Sequence, residues 1–263
     1  MIRFVTPELE ALFCEKSVQF GIFGTKIYSQ YQTYGAQSGI LDLWLLFDDT
    51  YVTGCVSRFG GLLTAACTPR ADVEELAVFL RAVGGRAVEG MLPLIERVRA
   101  VTRGELCSSR VMRADSRGCL PAPAPCGADG APCPADRLVP VYALLCAADP
   151  LFAARADEAG WLTELSHKTR HGLAEIYILK VKNSPISTSG IYFKGTDSAI
   201  LAGVATVPAM RGRGYGRRLV EHTTAAALAQ GLTPYLLTAD DRLGAFYTAC
   251  GFMDAGQWAR LEW

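Results

Sequence analysis

The chain carries no surplus of charge. Its 26 lysines and arginines are matched by 26 aspartates and glutamates, so the formal net charge is zero. A dedicated nucleic-acid binder or a polybasic membrane surface needs a one-sided field, and the balance argues against both. Also missing is any apolar run near the roughly 18–20 residues that span a bilayer. The longest, Val139 to Ala148, has the length of a core helix and contains Pro140. The opening MIRFVTPELEALF carries Glu8 and Glu10 where a secretory signal needs an uninterrupted apolar stretch. These gaps predict a soluble, cytoplasmic protein with neither nucleic acid nor membrane among its partners. Histidine is scarce, at 3, and the 9 cysteines form no C-x-x-C pair. An odd count without such pairs fits free thiols in a reducing compartment better than a disulfide framework. Cys119, Cys126 and Cys133 are evenly spaced, but no histidine or fourth cysteine stands at zinc-ligand spacing beside them, so no metal site is expected.

Apolar residues are abundant. Half of the 263 residues are hydrophobic and 20% are charged, which allows a buried core and excludes bulk disorder. The length suits one large domain or two ordinary ones. The clearest break is SRGCLPAPAPCGADGAPCPAD, from Ser116 to Asp136, crowded with Pro, Gly and Ala and lacking the periodicity of a helix or strand. It divides the chain into a domain at 1–115, a linker at 116–138 and a domain at 139–263.

The two halves repeat one order of elements. Each opens with helical segments. Three strand-like runs follow: LWLLFD, YVTGCVSRF and LLTAACT in the first half, then AEIYILKV, STSGIYF and AILAGVATV in the second. Val, Ile, Tyr, Phe and Thr dominate these runs, and turn residues punctuate them. A helix comes next, DVEELAVFLRAV or RRLVEHTTAAALAQ, closed by Gly84-Gly85 or Gly231. Each half ends on an extended segment, a short helix and a strand. An internal duplication accounts for this order; two α+β units arising from shared physics alone is the other reading.

Chemistry enters where the halves differ. The second inserts Arg211-Gly212-Arg213-Gly214-Tyr215-Gly216-Arg217-Arg218 between strand and helix, whereas the first passes directly from Pro69-Arg70 to Ala71-Asp72. Glycines here let the backbone take positive φ and approach a ligand closely. With a strand before and a helix after, their N–H groups and the helix dipole converge on one point, an arrangement that binds phosphate, and the arginines supply countercharge. The dinucleotide pattern G-x-G-x-x-G fails because Arg217 holds its last position, and the Gly-Lys-Ser/Thr of a Walker loop is absent.

Arg211-x-x-Gly214-x-Gly216, with Pro208 just past the preceding strand, resembles the acetyl-CoA motif of the GNAT acyltransferase superfamily. Downstream, Phe246-Tyr247-Thr248-Ala249-Cys250-Gly251-Phe252 is similar to that family's second signature, a short helix bearing tyrosine and closing with Gly-Phe. The resemblance covers about residues 139–263, and the first half looks like a degenerate repeat without the loop or the tyrosine. It implies an α+β fold of tandem GNAT-like domains, each a mixed, mostly antiparallel sheet flanked by helices on both faces. It also implies acetyl-CoA as co-substrate and a primary amine as acceptor. Val204, Ala205 and Thr206 would offer backbone groups to the pantetheine arm. Arg211 opens the motif, and Gly212, Arg213, Gly214, Tyr215, Gly216 and Arg217 would hold the pyrophosphate. Tyr247 would stand beside the sulfur as general acid, since a phenol with pKa near ~10 stays protonated at neutral pH.

Two positions depart from the family. Asp240 stands where many relatives carry an asparagine contacting the cofactor, and the strands at Ser198–Val207 and Pro234–Ala239 hold no glutamate to act as base. Glu175 reads as an edge carboxylate, His167 and His171 as cations at a helix end, and His222 as a residue on a helix face. A non-catalytic acyl-CoA-binding or sensing module is the rival class. The expected assembly is a monomer with an internal pseudo-dimer, or a homodimer.

Overall fold

The computed structural model describes residues 1–115, 130–238, 240 and 242–263. The chain forms two compact units, and neither is one continuous segment. The first contains residues 1–111, 255–263 and a short stretch from Thr238; the second contains Met112–Leu237 and Arg242–Asp254.

In the first unit, β1 (Ile2–Phe4) precedes helices α1 (Pro7–Ser17) and α2 (Gly21–Tyr34), and the strands β2 (Leu41–Asp48), β3 (Tyr51–Phe59) and β4 (Leu62–Cys67) follow as an antiparallel meander. Gly60 and Gly61 both have positive φ, 57° and 81°, which gives the β3–β4 hairpin the twist its strands need. Helix α3 (Val73–Ala82) crosses over to β5 (Ala87–Met91), which joins β4 in parallel. Its Val73, Leu76, Ala77 and Leu80 fall at helical spacing and are buried with Leu94, Ile95 and Val98 of α4 (Leu92–Thr102). Glu89, buried on β5, is satisfied by Lys26 and by the Thr64 hydroxyl at 3.0 Å. The chain's last residues close this unit. In β12 (Phe252–Glu262), the run Trp258–Glu262 pairs antiparallel with Met91–Ala87, and Ala259 and Leu261 enter the same core. Residues 255–263, which the sequence placed with the second half, therefore complete the first unit. Their alternation of buried Ala259 and Leu261 with more exposed neighbours needs a sheet face to cover it, and β5 offers one.

The second unit takes the end of β6 (Glu105–Ala114), whose Met112 and Ala114 lie in its core. Residues 116–129, with Cys119 and Cys126, lie outside the described residues. Part of the expected linker is strand: β7 (Pro132–Pro134) pairs with β8 (Glu175–Val181). Between them come α5 (Val139–Ala148), α6 (Pro150–Arg155) and α7 (Glu158–Arg170). Then β8, β9 (Ser184–Lys194) and β10 (Ser198–Thr206) form an antiparallel meander, and α8 (Tyr215–Ala229) crosses to β11 (Thr233–Leu237), parallel to β10. Helix α9 (Leu243–Ala249) leads into β12. Ile176 and Ile178 pack against Val141, Leu145 and Leu165 of α5 and α7, whereas Ile191, Ala199 and Leu201 pack against Val220 and Ala227 of α8. Helices thus cover both faces of this sheet. The two units repeat one topology, three antiparallel strands followed by a helix and a parallel strand, as the sequence led us to expect.

Candidate active site

The site begins where β10 and β11 part. Their parallel pairing runs from Ser198–Thr233 to Leu201–Leu236 and stops. On the other side, β10 slips against β9 between Ala202, opposite Gly190, and Ala205, opposite Thr188, so one strand carries an extra residue. Gly203 sits in this bulge with φ of 62°, and a side chain there would collide with the Tyr192 ring. A bulge of this kind turns backbone groups away from the ladder. It leaves Val204, Ala205 and Thr206 lining a cleft of about 610 Å³ that lies wholly within the second unit. The Ser187 hydroxyl fixes this strand end, bonding the Ala205 carbonyl and the Thr206 hydroxyl, each at 2.8 Å.

The glycine loop forms the next wall. Gly212 and Gly214 take φ of 75° and 79°, conformations that disfavour any side chain. Gly216 approaches so closely that a Cβ would stand 3.1 Å from the Thr206 hydroxyl. Helix α8 begins at Tyr215 with Gly214 as its cap, and no side chain satisfies its first N–H groups. Those donors and the positive end of the dipole open onto a cleft lined by Gly212, Gly214, Tyr215, Gly216 and Arg217.

The arginines divide their work. Arg211 lines the cleft, but its guanidinium is engaged by the protein: Nε donates to the Thr206 carbonyl at 3.1 Å and a terminal nitrogen to the Ala148 carbonyl at 2.7 Å. Arg217 donates from Nε to Glu221 at 2.7 Å, and Arg218 to the Gly130 carbonyl at 2.8 Å. Arg213 is exposed and is not among the cleft-lining residues.

Tyr247 also lines the cleft, from α9, with its ring 7% exposed between Phe246 and Phe252. Burial pushes its phenol up to about 12, so the hydroxyl holds its proton across the physiological range. Sequence reasoning missed Ala148, Asp149, Met210, Leu243 and Phe246 as lining residues. Asp149 caps α6, accepting from the Leu151 N–H at 2.9 Å, a role its Asp-Pro-Leu context signals, but nothing local shows that it faces the cleft.

The other titratable candidates lie elsewhere. Burial opposes ionisation of Glu175, but Lys194 at 2.6 Å and the Tyr177 hydroxyl outweigh it and hold the carboxyl below its usual range. His167 and His171 stack with ring centres 4.5 Å apart at the end of α7. His222, on α8, packs edge-on to Tyr177, and burial pushes its imidazole down. None of these, nor Asp240, lines the cleft.

A bulged strand parted from its parallel neighbour, an uncapped helix N-terminus and a buried tyrosine thus meet around one apolar cleft. Residues 140–252 match the model of the family described as Acetyltransferase (GNAT) family. No curated protein matches the chain. Among solved structures, a GCN5-related N-acetyltransferase from Sphaerobacter thermophilus is similar over 100% of this chain and 95% of its own, with TM-score 0.63 and 14% identity. An acetyltransferase of the GNAT family from Colwellia psychrerythraea is similar over 100% and 99%, with TM-score 0.61 and 14% identity. A tandem GNAT protein from the clavulanic acid biosynthesis pathway is similar over 100% and 98%, with TM-score 0.62 and 11% identity. The whole chain therefore has a tandem GNAT-like fold, and its second half is the part that matches the family in sequence.

Proposed function

We propose that the second unit transfers an acetyl group from acetyl-CoA to a primary amine by direct attack. The observation that carries this reading is the convergence of the uncapped α8 N-terminus, the bulged end of β10 and Tyr247 on one cleft. The pyrophosphate would rest on the N–H groups of Gly212 to Arg217, where dipole and donors both favour an anion. The pantetheine arm would run along Val204, Ala205 and Thr206, which lie past the end of the pairing with β11. Arg211 serves this site as a brace between Thr206 and Ala148, and Arg213 reaches phosphate only from the rim.

The amine nitrogen attacks the thioester carbonyl, and a backbone N–H near Ala205 receives the developing oxyanion. As the carbon–sulfur bond breaks, the Tyr247 hydroxyl gives its proton to the departing thiolate, and the proton lost by the amine returns through solvent to the phenolate. The products are an N-acetylated amine and CoA with a free thiol. A phenol raised to about 12 is a weaker acid than an ordinary tyrosine, but it keeps the proton it has to give at alkaline pH. We place the reaction in the cytosol, where cysteines without C-x-x-C pairs stay reduced; among the described residues no helix is long and apolar enough to cross a membrane.

Calorimetric titration with acetyl-CoA, followed by thiol release across a panel of primary amines, tests the reading. Binding with turnover is the expected result. Binding without turnover on any amine would favour the sensing module, and absence of binding would overturn both.

A further inference from the structure

The cleft holds one carboxylate. Among its lining residues, Asp149 is the sole acid; Arg211 and Arg217 are the cations, and the remainder are apolar or neutral. Both arginines already have partners in the protein, the Thr206 and Ala148 carbonyls for one and Glu221 for the other. The Asp149 Oδ1 accepts the Leu151 N–H, and the side chain makes no ion pair among the described residues. Its place is fixed from both sides. The cap holds the side chain at the head of α6, and the Arg211 bond to the adjacent Ala148 carbonyl ties this turn to the end of β10, the strand end that carries Val204 to Thr206.

Asp149 is exposed on the cleft and has no ion-pair partner among the described residues, so its charge is open to a cation that arrives from outside. Neither β10 nor β11 carries a glutamate, so the negative charge in the lining comes from the α5–α6 turn and not from the sheet. We propose that Asp149 is the acceptor-recognition residue and that the acceptor enters as a cationic primary ammonium, excluding neutral aryl amines from efficient use. This rests on the acetyl-CoA reading of the cleft, which places the acceptor beside the thioester.

The test uses CoA thioethers that carry the acceptor's charge into the cleft without chemistry. Matched pairs of S-aminoalkyl-CoA and S-alkyl-CoA, such as 3-aminopropyl against butyl, differ only by ammonium for methyl. Calorimetry on the full chain should show the ammonium member of at least one pair bound more tightly by about three- to tenfold, as expected for a partly exposed ion pair, with the preference shrinking as salt rises. Asp149→Asn and Asp149→Ser keep a residue able to cap α6, so the fold is preserved while the charge goes. Both should erase the preference, with the alkyl thioether as internal control. Equal binding within every pair by the native protein, or a preference that survives both substitutions, would overturn the assignment. If neither member of any pair binds, the acetyl-CoA reading itself fails, a result distinct from the loss of preference alone.

Discussion

Helices α3 and α8 hold the same place in their units, each following the third strand of a meander and leading to a parallel strand, yet their N-termini have opposite character. At α3, Asp72 accepts the Glu75 N–H at 3.0 Å, and Glu74 and Glu75 add negative charge in the first turn. The positive end of that dipole is answered by the helix's own side chains. At α8 the cap is Gly214, which has no side chain to offer, and the first turn carries Arg217 instead of an acid. The donors stay open, and a cleft lies before them. Two units can therefore share a fold while only one leaves the N-terminus of this helix open, because it has a glycine loop in place of a capping side chain. The short helix differs in the same direction: α4 presents Leu94, Ile95 and Val98 to the core, whereas α9 places Tyr247 on the cleft.

The loop is where this comparison breaks most severely. Gly214→Val forces a branched side chain into φ of 79° at the cap itself. Acetyl-CoA affinity should fall by at least about 100-fold in calorimetry, the loss of two or so charge-assisted hydrogen bonds. Retained affinity would show that the open N-terminus does not hold the cofactor. Next in size is Tyr247→Phe, which should lower kcat by about 100-fold with little change in acetyl-CoA affinity. In the native enzyme the acid should stay competent through pH 10, where an ordinary phenol would be half ionised, since its proton is held to about 12. A fall in rate that tracks an ionisation near 10 would remove it as the acid.

The first unit allows a converse trial. Asp72→Ala should cost about 1 kcal/mol of stability, seen as a lower Tm, because it removes a cap and supplies no glycine loop. It should create no affinity for acetyl-CoA when combined with Gly214→Val, and any new binding would mean that capping alone separates the two helices. The smallest effect concerns His222. Burial lowers its folded pKa beneath the ordinary value of 6.5, so the unfolded chain binds the proton more readily. Its contribution is complete above that value and declines as pH falls through the window below it. His222→Gln should flatten the acid side of the Tm profile relative to the native chain, and parallel profiles would show that the imidazole titrates normally.

The local features of the site were legible early. Gly212, Gly214 and Gly216 in fixed spacing before a helix, and a tyrosine one helix and one strand later, announce themselves because backbone conformation and capping are properties of a few consecutive residues. Strand order within each unit followed for a similar reason, from period-two runs separated by turn residues. The partners of Arg211 and Arg217 were not legible, because sequence shows a charge but not the carbonyl or carboxylate that it meets in the fold. Asp149 went unnoticed since it lies more than fifty residues before the loop, and only the packing of α5 and α6 beside β10 brings it into the lining.

The sequence by itself determined that there are two related α+β units, that one alone carries a glycine-rich loop before its helix, and that the stretch resembling the GNAT motifs stands in the second half. Those facts depend on glycine's freedom, helix capping and hydrophobic period, all of which act over short stretches of chain. The tertiary structure decided the rest. It assigned residues 255–263 to the first unit, gave part of the expected linker to a strand, committed Arg211, Arg217 and Arg218 to partners within the protein and set a lone carboxylate in the cleft. Each of these depends on which distant surface is available to satisfy a strand edge, a guanidinium or a charge, and that is settled only when the chain has folded.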